Sequence, residues 1–238
     1  MGYGFGMCGR LTLTANTVAK VKDLLPDVVV DAWMGPRYNV APAQPVPVVR
    51  AGVPRRVEWL SWGLIPGWAS DRAIANRLIN ARSESVADKP AFREAWKHRR
   101  CVVLADGFYE WKTDGNNKTP WHFYFPGHPL FAIAGLWESW FDADANVQVD
   151  TCTVLTTEAN ALMKPIHHRM PVILGASSID AWIGEGATPA ERAALLRACP
   201  APGLQKIPVD RAVNHTGNDH PGLIEPVPEP PEQGLLAW

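Results

Sequence analysis

The chain lacks any apolar run approaching the roughly 18–20 residues needed to cross a bilayer, and its start lacks the charged and apolar regions of a signal peptide. The expectation is a soluble, intracellular protein without a membrane partner. It also lacks net charge. Against 24 Asp plus Glu stand 23 Lys plus Arg, so no global field draws it to nucleic acid, and any polyanion must meet a local patch. Cysteines are few and scattered: Cys8, Cys101, Cys152 and Cys199 contain no CxxC pair, which argues against zinc and against a disulfide framework. Three of the four read as core or inert thiols. There is no internal repeat, and between residues 8 and 215 there is no Ser/Gly-rich linker, which favours a single domain.

What is present is apolar and aromatic. The 238 residues are 47% hydrophobic and include 11 tryptophans, enough to fill a sizeable core and leave some rings as platforms for stacking. Runs rich in β-branched and aromatic residues predict strands at Val46–Arg50, Arg56–Trp62, Cys101–Ala105, Trp121–Phe125, Phe131–Trp137 and Thr151–Thr156. Helices are expected from Asn16 to Leu25, from Lys89 to Lys97 with Pro90 at the start, and after Thr188-Pro189-Ala190-Glu191, which has the residues of a capping box. Strands outnumber helices and do not alternate with them. The expected class is α+β, a single domain around an antiparallel, barrel-like sheet with peripheral helices. The segment Glu225 to Pro231 is proline-rich and reads as an extended surface strap.

Four stretches combine a reactive group with residues that restrict the backbone. Met7-Cys8-Gly9-Arg10 offers a thiol, a weak signal alone. Asn80-Ala81-Arg82-Ser83-Glu84 offers an amide and a guanidinium on one side if extended, or simply a helix cap. Ala105-Asp106-Gly107-Phe108-Tyr109-Glu110-Trp111 runs out of an apolar strand; alternation puts Asp106, Phe108 and Glu110 on one face, with Glu110 either a carboxyl of raised pKa or an exposed edge residue. Pro165-Ile166-His167-His168-Arg169-Met170-Pro171 carries adjacent histidines, of which one can serve a given site, unless it only makes a structural hydrogen bond.

Together with Arg37-Tyr38-Asn39-Val40-Ala41-Pro42, Trp62-Gly63-Leu64-Ile65-Pro66 and Ala134-Gly135-Leu136-Trp137, these stretches resemble, in order and over nearly the whole chain, the SOS-response-associated peptidase family. The resemblance implies covalent protection of abasic sites in single-stranded DNA. It maps the nucleophile to Cys8, the active-site asparagine to Asn80, the glutamate to Glu110 and the histidine to His167. It also implies a basic groove for DNA, with the contact set expected at Arg10, Asn39, Pro42, Trp68, Arg82 and Trp111: cations for phosphate, rings for bases. For Trp68 and Trp111 a core position is the alternative. The basic run Lys97 to Arg100 reads more readily as a solvated face.

By resemblance the domain spans residues 7–230, with 225–238 a proline-rich tail. Residues 1–6 are an extra segment: a mis-assigned start, a tag or a processed peptide. This matters to the chemistry. A 1,2-aminothiol traps an aldehyde as a thiazolidine, but an internal Cys8 has an amide nitrogen and cannot, so Met7 is expected to be the true start or the residues before Cys8 to be removed. The alternatives are a cysteine peptidase, including self-processing, a weak abasic lyase, and a noncatalytic single-stranded DNA-binding module. No cofactor or metal is expected, the partners are abasic DNA and replication-fork proteins, and the protein is expected to be monomeric, cytoplasmic and nucleoid-associated.

Overall fold

The computed structural model describes residues 8–14, 18–115, 117–127 and 129–229. The β-branched runs form the strands that carry the architecture. In chain order these are β1 (Leu11–Leu13), β2 (Arg37–Val40), β3 (Pro45–Arg50), β4 (Val57–Trp62), β5 (Asn80–Arg82), β6 (Arg100–Ala105), β7 (Gly107–Asp114), β8 (Asn117–Tyr124), β9 (Phe131–Asp142), β10 (Val147–Glu158), β11 (Arg169–Pro171), β12 (Ile173–Leu174) and β13 (Gln205–Pro208). The helices are short: α1 (Val18–Leu24), α2 (Arg93–His98), α3 (Ala176–Ile183) and α4 (Pro189–Leu195). Among the described residues none is long and apolar enough to cross a membrane.

Strands β3, β4, β10, β9 and β6 close into a barrel. Its spine is the long β9–β10 hairpin, in register from Asp142–Val147 to Gly135–Val154. All its pairings are antiparallel except β4 with β10, which closes the ring through Ser61–Thr151 and Trp62–Cys152. The expected antiparallel, barrel-like sheet is therefore present, closed by one parallel pairing, and β5 also lies parallel to β10. Gly135 permits the tight curvature, since a Cβ there would meet Thr153 O at 2.9 Å and Cys101 Sγ at 3.1 Å. A second, antiparallel sheet has the order β13-β8-β7-β1-β2.

Two large apolar clusters follow from this layout. One packs α3 and its neighbours on the barrel through Trp182, Leu104, Leu136 and Leu155. The other joins the second sheet to the barrel: Leu11, Phe108 and Phe123 share it with Val48, Trp62, Val103 and Val154, and Cys8 lies in it. The expected strands all form. The Lys89 helix begins later, at Arg93, because turns occupy residues 83–92. Asn16, expected in the first helix, lies outside the described residues. The Thr188 capping box is present in full. The basic run divides: Lys97 and His98 are exposed, Arg99 is half-buried and pairs with Glu138, and Arg100 is buried and donates to the carbonyls of Trp96, Lys97, Trp182 and Gly184. The described part of the strap lies along β13, with Val227 N–H donating to Pro208 O; residues 1–7 and 230–238 lie outside the described residues.

Candidate active site

The register of β1 on β7 builds the site. Leu11 pairs with Phe108 and Thr12 with Gly107, antiparallel, so the residues before Leu11 run toward Glu110. Gly107 is required here, because a methyl group in its place would collide with His122 and Thr12. Tyr109 N–H donates to Arg10 O at 3.1 Å, and the chain then turns at Cys8, whose φ is +43°. Its main-chain N–H donates to Glu110 Oε1 at 2.6 Å.

Both partners are buried, and burial sets their chemistry. Desolvation pushes the Glu110 carboxyl up to about 8, against the opposing pull of hydrogen bonds from the Cys8 and Trp111 main chain. Near neutral pH Glu110 is therefore largely a protonated acid. Burial, and secondarily the Glu110 charge, hold the Cys8 thiol well above its ordinary value, so it is a thiol and not a thiolate. Asp106 does not share the face of Phe108 and Glu110: the chain bends there, and its carboxylate accepts from the hydroxyls of Thr12 and Thr14 at 2.8 and 2.7 Å.

Asn80 opens β5 beside Val154, and its neighbour Ile79 packs on the cluster that contains Cys8; Trp62 Nε1 donates to Ile79 O at 2.8 Å. His167 is half-buried. Its Nδ1 lies 3.1 Å from Arg169 N and 3.3 Å from Arg169 O, its ring lies 4.4 Å from that of His168, and burial lowers its pKa. Ile166 and Met170, on either side of His167, enter the same apolar cluster. Neighbours of all four stretches enter this large apolar cluster, and the contact seen among the expected site residues is that of Cys8 with Glu110.

The expected DNA contacts divide in two. Arg10, Asn39 and Trp111 are buried, the last in keeping with the core position given as its alternative. Arg10 Nη1 donates to Asn39 Oδ1 at 2.7 Å and to Val213 O at 2.6 Å, and Asn39 Nδ2 donates to the carbonyls of Val213, His215 and Asn218. Trp111 Nε1 donates to Asn214 Oδ1, and its ring lies under the Arg10 guanidinium. The three form a clasp on residues 213–218. Pro42 is half-buried in the turn between β2 and β3. Trp68 is 64% exposed beside a hollow that Arg77 also lines, and Arg82 is exposed.

Lys164 and His168, not singled out from the sequence, line a cleft of about 310 Å³ with Arg82, Glu158 and Arg169. The signal for Lys164 was its place immediately before the Pro165 motif. Arg169 grips Glu84 through both guanidinium nitrogens at 2.7 and 2.8 Å and Thr156 O at 2.6 Å, tying β11 to β10 and to the turn after β5. Among the described residues no group of three or more His, Cys, Asp or Glu is placed to hold a metal ion.

The chain thus combines a small closed barrel and a second sheet with a buried cysteine whose main-chain nitrogen meets the Glu110 carboxyl. Residues 7–216 match the family model of the SOS response associated peptidases (SRAP), and the chain belongs to that family. It is 38% identical over 227 residues to the abasic site processing protein YoqW of Bacillus subtilis (strain 168), covering 92% of this chain and 99% of that one. It is 31% identical to the abasic site processing protein HMCES of Gallus gallus, over 81% of this chain and 66% of that one. A crystal structure of a protein from Bacteroides thetaiotaomicron superposes with a TM-score of 0.82 at 25% identity, covering 92% of this chain and all of that one.

Proposed function

We propose that this protein recognises abasic sites in single-stranded DNA and caps them covalently through Cys8, once the residues ahead of Cys8 have been removed. The observation that carries this reading is the 2.6 Å contact between the Cys8 nitrogen and a carboxyl held near 8. An abasic deoxyribose is mainly a closed hemiacetal. Glu110, protonated near neutral pH, gives its proton to the ring oxygen while the anomeric hydroxyl loses its own, exposing the C1′ aldehyde. The freed Cys8 amine adds to C1′, and loss of water leaves an imine. The Cys8 sulfur then adds to the same carbon, its proton passing to nitrogen, and a thiazolidine closes. His167 relays protons in these steps and Asn80 orients the amine or a sugar oxygen. No step calls for a cofactor.

An ammonium in place of the amide would pull Glu110 down again, so the pair would titrate together and share one proton over the working range. The high thiol value suits capture of an imine already formed better than the thiolate attack of a general cysteine peptidase. DNA contact falls to Arg82, Pro42 and Trp68, with Lys164 and His168 beside Arg82. The domain assigned to residues 7–230 would act as a monomer inside the cell.

Incubation with uracil-glycosylase-treated single strands, followed by a denaturing gel and intact mass, tests the reading. A shifted band whose protein begins at Cys8 is expected. A fully active preparation that retains Met7 joined to Cys8 rules the thiazolidine out; reversible binding with no band supports a noncatalytic module.

A further inference from the structure

The register of β7 on β8 sets Trp121 directly opposite Glu110. Residues opposed in an antiparallel pair project from one face of the sheet, so the indole stands beside the carboxyl. Trp121 also packs in the apolar cluster that holds Cys8. Its exposure is 4%, the same as that of Glu110, and Cys8 is wholly buried. The three are closed off together, and whatever admits the abasic sugar to Cys8 and Glu110 admits it to Trp121.

Trp121 differs from the other buried indoles. Trp62, Trp111, Trp140 and Trp182 each donate Nε1–H to an oxygen at 2.7 or 2.8 Å. Among the described residues, Trp121 Nε1 has no acceptor. A buried donor without an acceptor is costly, and a chain keeps one where a ligand or a water completes it.

Strand β13 adds a cation. Pro208 pairs with Trp121 and Lys206 with Phe123, two residues along each strand, so Lys206 shares the face of the indole. Its Nζ lies 4.8 Å from the centre of the Trp121 ring. Indole N–H and ammonium are thus two donors at one place. The group that complements them is an anionic oxygen, and an abasic nucleotide carries a phosphodiester on each side of its sugar.

We propose that Trp121 and Lys206 bind a phosphodiester flanking the abasic sugar, the indole N–H donating to one of its oxygens and the ammonium pairing with its charge. This deepens the reading of the Cys8 and Glu110 site and rests on it for the position of the sugar.

The test is the affinity of the mature protein for single strands carrying a tetrahydrofuran abasic analogue, read by fluorescence anisotropy. The analogue keeps both phosphates but has no aldehyde, so binding is measured apart from covalent capture. Trp121→Phe keeps a ring and loses the N–H, and should weaken binding about tenfold. That gap should close on a strand with an uncharged methylphosphonate at the contacted linkage, tried on the 5′ and the 3′ side in turn. Equal affinity of variant and wild type, or a gap that persists on both methylphosphonate strands, overturns the proposal. Lys206→Met keeps the stem and should lower the slope of log affinity against log salt by about 0.7; an unchanged slope overturns it as well. If the binding pattern holds while authentic abasic strands give no covalent band, the reading of Cys8 fails and the phosphate contact stands.

Discussion

Arg10 Nη1 and Asn39 Oδ1 lie 2.7 Å apart with both residues almost wholly buried, and between them they satisfy main-chain carbonyls of residues 213–218. Arg10, two residues from Cys8, is thus a brace. Asn39→Ala leaves a buried guanidinium short of an acceptor and should destabilise the fold by about 2–4 kcal/mol, read by urea unfolding. The salt dependence of DNA binding by the surviving folded protein should be unchanged, since no phosphate contact is lost.

Arg82 and Trp68 should behave in the opposite way. Both are exposed, so Arg82→Ala should leave the melting temperature within a degree or two while reducing the slope of log affinity against log salt by about 0.7 for a single strand. Trp68→Ala should weaken binding by about 1–3 kcal/mol with the slope intact. Titration of a fluorescent oligonucleotide at several salt concentrations separates the two.

Cys8→Ala should abolish the covalent band altogether. Glu110→Gln keeps the shape of the carboxyl but cannot deliver its proton, and should slow band formation by about 10²-fold or more. Quenched time courses on denaturing gels give the rates, and an unchanged rate in Glu110→Gln would remove the acid role.

Glu110 also couples stability to pH. Its carboxyl titrates near 4.5 when unfolded and near 8 when folded, so the folded state holds the proton more tightly. The resulting stabilisation is complete below about pH 4.5 and is lost as pH rises through about 8, at up to about 1.4 kcal/mol per pH unit within that window. Melting curves of the full chain at about pH 5, 6.5 and 8 should show this decline, and Glu110→Gln should flatten it. A chain beginning at Cys8 should also show a shallower decline, because its ammonium lowers the Glu110 pKa.

Much of this was legible in the sequence. The barrel strands announced themselves because Val46–Arg50, Cys101–Ala105 and Phe131–Trp137 are dense in residues that suit a buried pleat, and Thr188 carried its cap in four consecutive residues. The parallel closure of β4 on β10 was not legible, because it depends on which strand ends meet after 90 residues of intervening chain. Helix α3 was missed since Gly175 supplies no side-chain cap. Glu110 was placed correctly by strand alternation, which fails one step earlier at Asp106, where the backbone bends. The burial of Arg10 and Asn39 was not legible, because the carbonyls they hold lie some 170–200 residues away.

The ladder between β1 and β7 acts as a ruler for Cys8. Because Leu11 is locked opposite Phe108, the three-residue interval back to Cys8 decides which side of the sheet its sulfur meets. Lengthening that interval by one residue should carry the Cys8 nitrogen off Glu110 and its side chain out of the apolar cluster it shares with Leu11, so the spacing itself, and not only the identity of the residues, is under physical constraint.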